Sequence, residues 1–387
     1  MTDPDRPMRN ALVLSGGGAR GAYQVGALHG LAEILPKNRA RTPPFSILTG
    51  ASAGSITNAF LAAGASDFSG AVQRLVDFWS QIAPHDVFRT DTPTLTREAV
   101  RWAADLSLGG WIGSGRGKSL LMTDPLRALL SERLEMAAIR DNIARGLLRG
   151  FALTATSYRA NIAVTFFDGA ADIEPWGRST RIGMRQELTI NHLMASSSIP
   201  LFFPAIRIGN KYYADGCVRL TTPLSPAVHL GADRILAIGV RCAAPPDARE
   251  GSQAGDEEAY PTVAETAGML LNALFLEALE SDIERFERIN HTMSLVPPAA
   301  LKHERAPLRS IPLFVLRPSR DLGRLAEGAI EHLPYVVRHL FKGLGVTPST
   351  GADLISYLAF DREYTSQLLA LGYADAMAHK DELLAFL

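Results

Sequence analysis

Ser52 stands in Gly50-Ala51-Ser52-Ala53-Gly54, between the apolar run Phe45-Ser46-Ile47-Leu48-Thr49 and a helix-like stretch from Ser55 to Ala63. A strand, a sharp turn flanked by glycines and then a helix is the layout in which a strained serine projects its hydroxyl above a sheet edge. Gly50 and Gly54 suit that layout, because a side chain at either place would crowd the turn or the helix it feeds. A serine so placed can attack acyl groups. The pentapeptide alone is weak evidence, since a chain with 33 glycines produces it by chance. A glycine-rich turn without chemistry is the plain alternative.

A second glycine cluster, Gly16-Gly17-Gly18-Ala19-Arg20-Gly21, follows the apolar run Ala11-Leu12-Val13-Leu14. It opens a segment with Tyr23, Ala27, Leu28, Leu31 and Leu35 at helical spacing. It also fits a dinucleotide fingerprint, but that reading needs an acidic residue about 20 positions on, at the end of the next strand. The next strand ends in the Ser52 turn instead, and the charges before it are Arg39 and Arg41. Backbone N–H groups of a glycine loop at a helix N-terminus favour negative charge. Facing a serine nucleophile, such a loop is an oxyanion hole.

A nucleophile needs a base. None of the nine histidines has an evident catalytic setting; His29 and His229 read as ordinary helix residues, and His192 is the hardest to dismiss. Asp215 is the stronger candidate. Ile206-Arg207-Ile208, the turn Gly209-Asn210 and Lys211 to Ala214 read as a hairpin, and Asp215-Gly216 follows where the second strand leaves the sheet. Asp-Gly by itself is only a turn. Its neighbourhood raises it, with Ala195-Ser196-Ser197-Ser198-Ile199-Pro200 before the hairpin and Pro223 to Val240 after it.

Taken in order, the glycine cluster, the Ser52 turn and Asp215-Gly216 resemble the patatin-like phospholipase family over about Asn10 to Val240. The resemblance implies an α/β fold: a central, mostly parallel sheet covered by helices. It implies Ser52 as nucleophile and Asp215 as its base, with the oxyanion hole lined by Gly16, Gly17, Gly18, Arg20 and Gly21. Gly50, Ala51, Ala53 and Gly54 would form the elbow, and Gly216 and Cys217 the aspartate motif. One departure is Cys217, where the family carries Gly or Ala; it adds a thiol near the site that oxidation could reach. The implied reaction is hydrolysis of a phospholipid or lysophospholipid ester through an acyl-enzyme, without cofactor or metal. A transacylase using the same dyad and a regulatory lipid-binding protein are the alternatives.

Composition fits a soluble enzyme, expected in the cytoplasm, with transient contact at a membrane surface expected from its lipid substrate. The 39 basic and 40 acidic residues balance, giving no sign of a nucleic-acid partner. Two cysteines, Cys217 and Cys242, do not make a disulfide framework. No signal-type core follows the polar first ten residues, and no run approaches 18 apolar residues. The expected organisation is a catalytic domain over 8–245, an acidic Pro/Gly-rich linker or loop over 246–258, and a mainly helical extension over 259–387 packed on the core. Within the extension an amphipathic helical period runs from Val263 to Ile283, and Ile311 to Leu316 reads as an edge strand.

Residues 85–122 lose the strand–helix rhythm. The run Gly115-Arg116-Gly117-Lys118-Ser119 lacks the earlier glycine of a phosphate loop, since Ile112 stands there. Trp79, Trp102 and Trp111 lie in or beside this stretch, with Arg97, Arg101, Arg116 and Lys118. That mixture is the basis for expecting a mobile flap over Ser52 that dips into a membrane; tryptophans filling a core are the alternative.

Overall fold

The computed structural model describes residues 7–36, 43–91, 93–94, 97, 119–242, 260–297, 309–347 and 351–387. Most of the stretch expected to form a flap, including Trp102 and Trp111, lies outside these residues, as does the expected linker or loop over 246–258.

Ten strands form one sheet: β1 (Asn10–Leu14), β2 (Ile47–Ala51), β3 (Gly150–Ser157), β4 (Ile162–Gly169), β5 (Trp176–Gly177), β6 (Arg181–Arg185), β7 (Ile206–Ile208), β8 (Lys211–Asp215), β9 (Arg234–Ile238) and β10 (Leu313–Leu316). The order β10-β9-β1-β2-β3 is parallel throughout, and β3 then pairs antiparallel with β4. Strand-to-helix alternation near the N-terminus dictates this, because parallel neighbours need a crossover that covers the sheet. Alternate side chains feed two cores. Leu12, Leu14, Leu48, Leu236 and Ile238 enter the larger one, while Ala11, Val13, Ile47, Ile235 and Ala237 enter the other. Both faces are therefore dry, which is why these strands read as continuous apolar runs.

Helix α1 (Gly21–Ile34) follows β1, and α2 (Ala53–Ala63) follows β2 with α3 (Phe68–Gln81) next. The amphipathic period beyond residue 263 forms two helices, Val263–Phe275 and Glu277–Leu295, broken at Leu276. β10 occupies the sheet edge beside β9, with Pro312 immediately before it.

The C-terminal helices are joined to the first one. Gly26 of α1 backs onto the Leu369 carbonyl, and Gly372 of the Arg362–Ala378 helix backs onto the Tyr23 carbonyl. A Cβ at either glycine would run into that backbone, so the two helices approach closely only because both positions are bare. Buried Tyr23 adds a hydrogen bond from its hydroxyl to Asp375 Oδ2, 3.0 Å. We expect Gly372→Ala to force these helices apart and cost about 1–3 kcal/mol of stability, as overpacking typically does. Urea unfolding of the two proteins measures this, and an unchanged midpoint would contradict the packing described.

Candidate active site

Ser52 sits between the last residue of β2 and the first of α2, with φ +52° and ψ −132°. That conformation is rare for a residue with a side chain and costs on the order of 1–3 kcal/mol, so its surroundings must hold it. The Ser52 N–H donates to Ser196 Oγ (3.0 Å), and the Ser196 hydroxyl donates to the Thr154 carbonyl of β3 (2.7 Å). Ser196 thus straps Ser52 to the sheet. From sequence this is only a serine-rich segment; nothing local distinguishes Ser196 from Ser197 and Ser198.

Asp215 is the last residue of β8 and is completely buried. Strand register brings it to Ser52. Ala51 of β2 pairs with Thr154 of β3, and Asp215 pairs with the next residue of β3, Ala155. β2 runs parallel to β3 and β8 antiparallel, so their two C-terminal ends meet over neighbouring rungs. The Asp215 N–H donates to the Ser198 carbonyl (2.8 Å), and the Thr156 hydroxyl donates to the Asp215 carbonyl (2.8 Å). Oδ1 accepts the Cys217 N–H (2.9 Å), while Oδ2 is buried without a well-formed hydrogen bond. Burial pushes the carboxyl up to about 6, against the smaller opposing pull of the Ser52 hydroxyl and the Cys217 donors.

The glycine loop emerges beside this pair, because Leu14 of β1 pairs with Gly50 of β2. Gly16 lies against Ser52 Cβ and Cys217 Sγ, leaving no room for a side chain. Gly18 has φ +55° and backs onto the Tyr357 carbonyl, so it must be glycine on both counts. Gly18–Arg20 form a single 3₁₀ turn that runs into α1. N–H groups at the start of a helical run have no acceptor within it, which frees those of the Gly17-Gly18 loop and of Ala53 at the start of α2. Gly21 packs on Ala53 and Trp79.

The Arg20 side chain goes elsewhere. Its Nε donates to Ser356 Oγ (2.8 Å), its NH2 to Asp353 Oδ1 (2.9 Å), and the guanidinium lies 4.2 Å from the centre of the Tyr357 ring. All three partners belong to the helix Ala352–Leu358. Arg20 therefore anchors the glycine loop to the C-terminal part of the chain. The Cys217 thiol packs against Asp215 and Gly16, and burial together with the neighbouring carboxylate pushes it well above its usual range. That favours the thiol over the thiolate, the form that oxidants attack, although the residue is only partly buried.

The histidines have other tasks. His192 Nδ1 accepts the Thr189 N–H at the start of its helix (3.1 Å), and burial lowers its pKa to about 4. His229 stacks on Trp176, and His29 packs on Tyr373. Two narrow apolar slots adjoin the site. One, of about 30 Å³, is lined by Ser52, Ile56, Trp79 and Phe360; the other, of about 20 Å³, by Gly16, Cys217, Leu274 and Phe275. Trp79, 2% exposed, is a core residue and a slot wall, not part of a surface flap. A wider polar groove of about 620 Å³ includes Arg20 and Asp353 in its walls but not Ser52.

Among solved structures the chain is similar to VipD from Legionella pneumophila, at 13% identity and TM-score 0.35, over 94% of this chain and 67% of that one. It is similar to human GIVD cytosolic phospholipase A2 at 14% identity and TM-score 0.44, over 99% of this chain and 59% of the other. It is also similar to ExoU from Pseudomonas aeruginosa, in its complex with SpcU, at 15% identity and TM-score 0.28, over 97% and 77%. These likenesses are too distant to transfer any residue's role, and the chain spans little more than half of the human enzyme. No curated protein matches the sequence. Residues 12–228, more than half of the chain, match the model of the patatin-like phospholipase family. That span holds the glycine loop, the strained Ser52 and Asp215, and this chain belongs to the patatin-like phospholipase family.

Proposed function

We propose that this protein hydrolyses carboxylic esters of lipids, phospholipid or lysophospholipid, through a Ser52–Asp215 dyad and a covalent acyl-enzyme. One observation carries the reading: a strained serine and a buried carboxylate end two strands that meet over adjacent rungs of β3.

Ser52 Oγ attacks the ester carbonyl while the Asp215 carboxylate takes its proton. An ordinary carboxylate, with pKa ~4, is a weak base for a hydroxyl. Burial lifts Asp215 to about 6, which strengthens it as a base yet leaves it mostly ionised at neutral pH. The negative charge on the former carbonyl oxygen is met by N–H groups of Gly17 and Gly18, with Ala53 supplying a donor from the elbow. Each such donor is worth about 3–4 kcal/mol in the barrier. Collapse breaks the ester bond, and Asp215 returns the proton to the departing alcohol. Water then attacks the acyl-enzyme while Asp215 accepts its proton; collapse breaks the acyl bond to Ser52 Oγ, Asp215 returns the proton to that oxygen, and the free acid leaves. Gly16 keeps the loop tight against Ser52, and Arg20 fixes it from behind.

Replacing Ser52 by Ala or Asp215 by Asn is expected to lower kcat/KM on a short-chain ester by at least about 10²-fold, the usual minimum for loss of a general base. The double variant should be little worse than either single one, because the two act as a unit. Substantial activity in Asp215→Asn would contradict the dyad.

The raised pKa of Asp215 gives two pH dependences. The free enzyme's kcat/KM should rise with pH through about 6, as the carboxylate ionises. Stability runs the other way. Between about 4, the unfolded value, and about 6, the native protein holds a proton that the unfolded chain has released. Stability contributed by that proton is present below about 4, declines through this window and is absent above it. Asp215→Asn should therefore melt no lower than wild type at pH 8, with any advantage shrinking below pH 4. A variant clearly less stable at pH 8 would contradict a buried carboxylate whose desolvation outweighs its hydrogen bonds.

A further inference from the structure

Two hairpins carry the sheet past the carboxyl ends of the parallel strands, the end at which Ser52 stands. The Tyr158 N–H donates to the Tyr212 carbonyl (3.1 Å), one rung beyond Ser157↔Tyr213, and Tyr212 pairs in turn with Arg207 of β7. Residues directly across a sheet share a face, so Tyr158, Tyr212 and Arg207 form one row. Tyr213 turns inward against Phe166, and alternation turns that row outward: Tyr158 is 51% exposed and Tyr212 53%. The row lies three residues along β8 from Asp215, about 10 Å at the usual rise. Leu201, ahead of β7, is 66% exposed and held at φ +71°, an outlier for a bulky residue. Ile199 and Phe203, on either side of it, line the slot beside Ser52.

Charge on these segments is one-sided. Stretches 155–167 and 196–223 hold four basic residues, Arg159, Arg207, Lys211 and Arg219, all exposed, and one acid, the buried Asp215. Arg207 Nε donates to the Gly209 carbonyl and Arg219 Nε to Asn161 Oδ1, both at 2.9 Å, and none of the four pairs with an acid among the described residues. The chain as a whole is balanced, 39 basic against 40 acidic residues, so the excess is local.

Resting on the hydrolase reading above, we propose that the two hairpin tips and Leu201 dock the protein on an anionic lipid surface and so bring Ser52 to its substrate. Tyrosine suits the boundary between acyl chains and water, and arginine and lysine beside it meet negative headgroups. Leu201 enters the hydrocarbon. Charge alone would serve a nucleic acid equally well. Exposed tyrosines and a leucine held outward at a strained position, next to an apolar slot, favour lipid.

Vesicles of ether-linked lipids carry no ester to cleave, so they report binding apart from catalysis. Wild type should bind ether-linked phosphatidylcholine vesicles containing phosphatidylserine at least about tenfold more tightly than phosphatidylcholine alone, and rising salt should narrow the difference. Arg159→Gln and Lys211→Gln should each weaken binding to the anionic vesicles roughly fivefold, the worth of one basic residue near such a surface. Arg145→Gln removes the same charge from an exposed position just before the opposite end of β3, and should leave binding unchanged. All three variants should keep wild-type activity on a soluble short-chain ester, which shows that they are folded. Equal wild-type binding to both kinds of vesicle, equal losses in all three variants, or tighter binding to duplex DNA than to the anionic vesicles would overturn the proposal. Ser52→Ala cleaving the soluble ester as well as wild type would instead sink the hydrolase reading, and with it the delivery of substrate but not the docking surface.

Discussion

The meeting of β2 and β8 on β3 is the constraint on which the rest of the site depends. A parallel and an antiparallel strand approach β3 from opposite ends, and one rung separates Ala51↔Thr154 from Asp215↔Ala155. Register in a buried sheet is set by the alternation of side chains between two cores, so a one-residue slip would turn every side chain of a strand to the wrong face. The placement of Ser52 against Asp215 is thereby fixed by burial of the whole sheet. Ser196 and Ser198 bind the two strand ends to a third segment, Ser196 through the Ser52 N–H and Ser198 through the Asp215 N–H.

This placement carries a cost that the remaining structure offsets. Ser52 is held at positive φ, and Asp215 is buried with one oxygen lacking a well-formed hydrogen bond. Both features oppose stability, the kind of cost that persists only where the surroundings hold it. The compensation comes partly from far along the chain. Arg20, beside the glycine loop, is held by Asp353, Ser356 and Tyr357, and α1 is clasped by the Arg362–Ala378 helix. Leu274 and Phe275 line one of the two slots, and Phe360 the other. Residues beyond 259 thus complete the walls of the site as well as the edge of the sheet.

The sequence exposes those parts of the site that are built from local rules. A strand followed by Gly-x-Ser-x-Gly and a helix has few structural meanings, and the Gly209-Asn210 hairpin delivers Asp215 to a predictable strand end. The turn at Ser52, the strand end at Asp215 and the glycine loop at a helix start were legible for that reason. Arg20 was not, because its partner Asp353 lies 333 residues away and nothing near Arg20 encodes the pairing. The raised pKa of Cys217 was equally hidden, since burial and a neighbouring carboxylate are properties of the folded site. Ser196 and Ser197 differ by one position in the chain but by partners in space, with the Ser196 hydroxyl strapping Ser52 to β3 and the Ser197 hydroxyl buried without a hydrogen bond. Trp79, read with a flap by its proximity to Trp102 and Trp111, belongs to α3 and the core.

The central claim, that Ser52 is a nucleophile made reactive by Asp215, is tested most directly by covalent labelling with an alkyl fluorophosphonate. Such a reagent phosphonylates an activated serine with loss of fluoride, and intact mass with peptide mapping locates the adduct. The account predicts one adduct per chain, on Ser52, formed at least about 10²-fold more slowly when Asp215 is replaced by Asn. An adduct on any other residue, or undiminished labelling of Ser52 in Asp215→Asn, would contradict it.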